Sequence, residues 1–223
     1  MAGPGEDAAT IAVRGSWTAE VPPELARVHV SVGARSADRA QALGYLTSRL
    51  GEARALLVGY GDAVESVDTG PLWVRPQFKD GGRPREKVSG YLSGAVVTAT
   101  VVDFAVLGDL VLRLADRELV SLQGPFWELR PDSDAYRSAR TEAVRDARRR
   151  AEEYAAAAGC RLTGLVQLAD TGMSGPEMVP TAMFSRAARD SVADELSFDV
   201  EPVPQTVSAT VEARFTATQP DFG

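Results

Sequence analysis

The sequence predicts an α+β fold: a single compact domain of antiparallel or mixed sheets packed by helices, in the order ββαββαβαββ. Three observations carry that expectation. Apolar residues alternate with period two near both ends of the chain, as Val28, Val30 and Val32 and again as Val207, Ala209, Val211, Ala213 and Phe215. Between them, Leu43, Leu46, Leu50 and Leu57, and then Ala135, Ala139, Ala143, Ala147, Ala151 and Ala155, follow the spacing of a helix face. Gly and Pro residues punctuate these segments as turns.

Taken in order, residues 1–9 are Gly/Pro-rich and read as a flexible N-terminus ahead of a domain spanning 10–218. Ile11–Gly15 and Leu25–Gly33 read as an opening strand pair, divided by Pro22 and Pro23, which cannot sit inside a ladder. Ser36 is the expected N-cap of a helix that runs to Val58 and ends at Gly59. Val64–Thr69 and Val88–Val102 then form a long hairpin-like pair with a polar tip around Gly81 and Gly82.

Asp103 can cap a second helix carrying Phe104, Leu107, Leu110, Val111 and Leu114 on one face, and Glu118–Leu129 returns to strand. Pro131–Asp134 opens the longest helix, which reaches Ala158 and stops at Gly159. Cys160–Ala169 is a strand, 171–199 a long loop with a short helix near Thr181–Arg189, Glu201–Thr218 the closing strand, and 219–223 a tail. Two helix-strand-strand runs in this order point to an internal α-β-β duplication.

Composition narrows function by exclusion. With 44% hydrophobic and 25% charged residues in 223, the chain can bury a core of its own. A net charge of -7 works against attraction to nucleic-acid phosphates or anionic lipid. The start of the chain has neither the basic nor the apolar region of a secretory signal, and no apolar run approaches membrane-spanning length, so a cytoplasmic location is expected. The single cysteine, Cys160, excludes an intrachain disulfide and a cysteine-based zinc cluster. The single histidine, His29, lies between Val28 and Val30, and no Gly-x-Ser-x-Gly elbow accompanies it. Gly81 to Pro84 lacks the Lys-Ser/Thr ending of a phosphate loop. No catalytic, cofactor or metal-ligating residues are therefore assigned.

Several segments carry a family resemblance: Val13–Gly15 with Val28–Val32, Val67–Leu72, Gly90–Val97, Val101–Phe104, the Ala-rich helix Ala139–Gly159, and Val207–Phe215. In this order, covering nearly the whole chain, they resemble the SIMPL-domain family, found in bacterial proteins and in an animal kinase-associated signalling protein. The resemblance implies a compact α+β domain, homo-oligomeric rings or channel-like particles among bacterial relatives, and an association with oxidative-stress tolerance. It brings no catalytic residues. Bacterial relatives often carry secretion signals, which this sequence lacks.

Two sets of residues stand out as candidate sites. Trp73, Phe78, Phe126 and Trp127, on strands near loops, can either complete a core or line a pocket. Ala139, Ala143, Ala147 and Ala151 make a smooth ridge that lies either on the domain's own sheet or against a helix of another subunit. The opposite face of that helix alternates Arg145, Arg148, Arg149 and Arg150 with Glu142, Asp146, Glu152 and Glu153, the pattern of a solvated ion-paired surface. The leading expectation is a non-enzymatic, self-assembling binding or scaffold component linked to a stress response. A small-molecule binder or enzyme with an aromatic pocket, and an adaptor acting through the methionine-bearing 171–199 loop, stay open beside it.

Overall fold

Pro22 and Pro23 separate the first two strands because neither residue can donate to a ladder, and the chain changes sheets there. In the computed structural model, which describes residues 9–78, 88–170 and 200–220, β1 (Ala9–Val21) and β2 (Leu25–Ser36) belong to different sheets. The opening strands are thus no pair, contrary to the sequence reading. The other elements follow the expected order: α1 (Arg39–Val58), β3 (Val64–Phe78), β4 (Val88–Val101), α2 (Leu107–Ala115), β5 (Val120–Glu128), α3 (Asp134–Ala157), β6 (Leu162–Asp170) and β7 (Gln205–Ala217). One sheet runs β1-β7-β6 and the other β3-β4-β2-β5. The expected features at 1–8, the tip at 79–87, the 171–199 loop with its short helix, and the tail beyond 220 lie outside the described residues.

Each sheet organises its own compact unit, with its own buried clusters. Among the described residues, 22–130 and 200–205 form the larger unit, while 9–21, 131–170 and 206–220 form the smaller.

In the larger unit, alternation buries one face of β2 (Ala26, Val28, Val30, Val32, Ala34) and of β4 (Ala95, Val97, Ala99, Val101) under Leu46 and Leu57 of α1 and Leu107, Leu110 and Leu114 of α2. Ser93 is buried among them and donates to the Ala42 carbonyl at 2.9 Å, tying β4 to α1 without an unpaired hydroxyl. The N-cap of α1 is Asp38, whose carboxylate accepts the Gln41 N–H at 2.9 Å. Ser36, read as that cap, instead ends β2, and its hydroxyl accepts the Asp38 N–H. Asp103 does cap its turn, accepting the Ala105 N–H at 3.1 Å. β3 continues past Thr69 through Pro71 and Pro76 to Phe78; at the sheet's edge a missing N–H leaves no ladder bond broken, and the register slips between Thr69 and Leu72.

The smaller unit is built on α3. Ser133 caps its start, its hydroxyl accepting the Ala135 N–H at 3.2 Å, and Gly159 at φ +67° stops it. Ala139, Ala143, Ala147, Ala151 and Ala155 are all buried, packed toward β1 and β7. The approach is closest at Gly15, where an added Cβ would lie 2.2 Å from the Ala143 carbonyl oxygen and 2.4 Å from the Ala147 nitrogen. Helix backbone therefore rests directly on strand backbone. Asp146 fastens the same crossing by accepting the Ser16 N–H at 3.0 Å, and it pairs with Arg149 and Arg150. The Ser16 N–H, then the two guanidinium groups, hold its carboxyl below the usual carboxylate range.

The two units repeat one topology. A strand, a helix and two further strands assemble as β3-β4-β2 in the larger unit and as β6-β7-β1 in the smaller, with the last strand of the run in the middle. The expected duplication is present as strand order, with α2 and β5 added to the larger copy alone among the described residues.

Gly15→Ala is expected to lower stability by about 2–3 kcal/mol in urea unfolding through overpacking. Gly44→Ala in α1, where an added Cβ meets nothing within 4 Å, is expected to raise it by about 0.5–1 kcal/mol. Asp146→Asn is expected to cost about 1 kcal/mol at neutral pH. Because the folded carboxyl titrates below its unfolded value, that contribution is present above the ordinary carboxylate range and is lost as pH falls through the folded value. Unfolding curves of the two proteins should therefore converge in acid.

Candidate functional site

Strand alternation decides where the four candidate aromatic residues go. Trp73 stands opposite Gly94 on the sheet face away from the helices, its ring lying over that glycine, with the Arg75 guanidinium 5.0 Å from the ring centroid. Phe126 stands opposite Arg27 and is tilted against the His29 ring at 5.2 Å, while His29 Nδ1 lies 3.0 Å from the Thr98 hydroxyl. Trp127, one residue on, points to the other side and packs edge-on against Phe104 at 4.8 Å within the larger core. Phe78 is exposed at the last position of β3.

These residues are not brought together. Trp73 and Phe126 sit on opposite edge strands, about 14 Å apart across the sheet, and their levels on β2 differ by six residues, about 20 Å. The alanine ridge is likewise spent inside its own unit, which leaves none of Ala139, Ala143, Ala147 or Ala151 for a helix of another subunit.

Tyr60 and Cys160 are both held in place. Tyr60 donates to Asp109 at 2.6 Å, and burial, helped by that carboxylate, pushes its phenol up to about 12, so it acts as a fixed donor bracing α2. Cys160 is buried. Among the described residues no three His, Cys, Asp or Glu converge, and no helix is long and apolar enough to cross a membrane. A depression of about 340 Å³ beside α1 holds Arg49 and Glu52, but Glu118 at 3.0 Å and Arg117 at 2.9 Å already pair with them.

The exposed edge of the smaller sheet is different. Of the four edge strands, β3 carries Pro71 and Pro76 and repeated register shifts, β5 carries Pro125, and β1 carries Arg14 and Glu20 and is packed against α3. Each has a device that discourages an added strand. β6 has no proline and no charge before Asp170, and it exposes Leu165 (57%), Val166 (58%) and Leu168 (48%). Its register shifts, on the side paired with β7, leave all three in solvent. Leu165 and Leu168 stand opposite Phe215 and Ala213, on the side of the sheet that faces α3.

On that side a groove of about 650 Å³ opens between α3 and the β6–β7 ladder, with Val144, Leu168 and Val211 as its apolar surface and Arg140, Ser208 and Asp170 among its polar groups. The sequence reading passed over this edge. Its signal was Leu165 and Val166 in succession with Leu168 close behind, an apolar run that breaks period-two alternation and cannot hide on one buried face.

The model of the SIMPL family, described as a protein of unknown function (DUF541), matches residues 11–215, and the chain belongs to that family. No curated protein matches the chain.

The placement of the aromatic residues is tested by truncation. Trp127→Ala is expected to cost about 3 kcal/mol of stability, and Trp73→Ala less than about 1 kcal/mol, both read by urea unfolding.

Proposed function

We propose that this SIMPL-family chain works without covalent chemistry, as a self-assembling binding or scaffold component whose copies join through the β6 edge. The observation that supports this reading is β6 itself: among the described residues it is an edge strand with exposed apolar residues, no proline, and no charge before its last residue. Pairing two β6 strands antiparallel about a two-fold axis would use each of Leu165, Val166 and Leu168 twice.

Magnitudes set the range of concentration. Each of these half-exposed side chains contributes about 1 kcal/mol when covered, about 6 kcal/mol for the pair of strands, from which the cost of association is still to be subtracted. The backbone bonds of the added strand supply the remainder, which places assembly at micromolar concentrations or above. A role in stress tolerance completes the proposal and rests on the family resemblance.

Light scattering of the full chain from one to several hundred micromolar is expected to show mass rising with concentration. Val166→Lys, a charge set on the edge, is expected to return it to monomer while leaving its circular dichroism unchanged. A chain that stays monomeric throughout, or a Val166→Lys variant that assembles as well as the parent, contradicts the proposal.

A further inference from the structure

The two copies of the strand-helix-strand-strand topology place their helices differently. α1 packs against β2, β4 and β3, covering the sheet out to its far strand, whereas α3 packs closely against β1 and barely reaches β6. The Gly15 contact explains the difference, since it draws α3 onto β1 and leaves the α3-facing side of β6 bare. The groove follows from that bareness, and its volume of about 650 Å³ is within the range of small-molecule sites, roughly 300–1,000 Å³.

Charge pairing along α3 identifies what the groove lacks. Arg137 pairs with Asp134, Arg145 with Glu142, Arg148 with Glu152, and Arg149 and Arg150 with Asp146. Arg140 has no carboxylate at three or four residues on either side, no ion pair among the described residues, and a place in the groove lining. Its planar guanidinium suits a carboxylate in two-point contact. Asp170, also in the lining, is already held in another polar interaction, and its negative charge disfavours a ligand with two charges.

We propose that this groove binds an amphipathic monocarboxylate, with its hydrocarbon chain on Val144, Leu168 and Val211 and its carboxylate on Arg140. The apolar surface supplies affinity through burial, and Arg140, the one cation among the described lining residues, sets the sign and number of charges on the head group. An added strand uses edge groups in the plane of the sheet while the groove lies over its face, so the two surfaces share only Leu168.

Calorimetric titration of the full chain with decanoate, decanol and decyltrimethylammonium tests the proposal, with methyl NMR locating the contact. Decanoate is expected to bind saturably at one per chain, to shift the Val144 and Leu168 methyl signals, and to bind about tenfold more tightly than decanol. Arg140→Gln, an exposed substitution, is expected to weaken decanoate about tenfold and leave decanol unchanged. The proposal is overturned by absence of saturable decanoate binding, by equal affinity for decanol or the cationic probe, by an Arg140→Gln chain that binds decanoate as before, or by shifts confined elsewhere. Light scattering on the same samples keeps the outcomes separate: decanoate bound to a chain that remains monomeric supports the groove while contradicting assembly.

Discussion

The backbone of α3 rests on the backbone of β1 because residue 15 has no side chain. At 2.2 Å from the Ala143 carbonyl oxygen, even a methyl group on Gly15 has nowhere to go. The alanines at every fourth position of α3 are the other half of this contact, for a larger residue at Ala143 or Ala147 would lift the helix away. Asp146 then pins the crossing through the Ser16 N–H. A helix held this closely over one edge of a three-stranded sheet leaves the opposite strand uncovered, and the exposed side chains of β6 and the groove beside it are both consequences.

The repeated topology makes the same point by contrast. In the larger unit α1 spreads across β2, β4 and β3, β5 extends the sheet beyond β2 with α2 packed against it, and the free edge of β3 is guarded by two prolines. In the smaller unit no second helix is present among the described residues, and β6 has no such guard. Two copies of one strand order thus differ in what they leave to solvent. The smaller copy presents an edge suited to another strand and a face suited to an apolar ligand with one negative charge.

Element order was legible in the sequence because alternating valines and four-residue alanine spacing survive in any environment that buries one face. Helix ends were legible only approximately: Ser36 and Asp38 are both good capping residues, and the hydrogen-bond geometry alone selects Asp38. The continuation of β3 through Pro71 and Pro76 was hidden, since proline is tolerated only on an edge, and edge status is a property of the assembled sheet. The aromatic pocket dissolved for a related reason. Phe126 and Trp127 are adjacent in sequence, yet strand alternation sends them to opposite faces, and Trp73 lies on the far edge of the same sheet. The division of β1 and β2 between sheets was signalled by Pro22 and Pro23, but a turn within one sheet uses the same residues. What local patterns do not encode is which edges and faces remain uncovered, and the candidate site is made of such surfaces.

Amide hydrogen exchange, followed along the chain at low and high protein concentration, bears most directly on the central claim that β6 is an open edge awaiting a second copy. Protection that rises with concentration across Leu162–Asp170, while the edges β1, β3 and β5 stay unchanged, is the result the account predicts. Exchange at β6 that is independent of concentration, or new protection centred on one of the guarded edges, would contradict it.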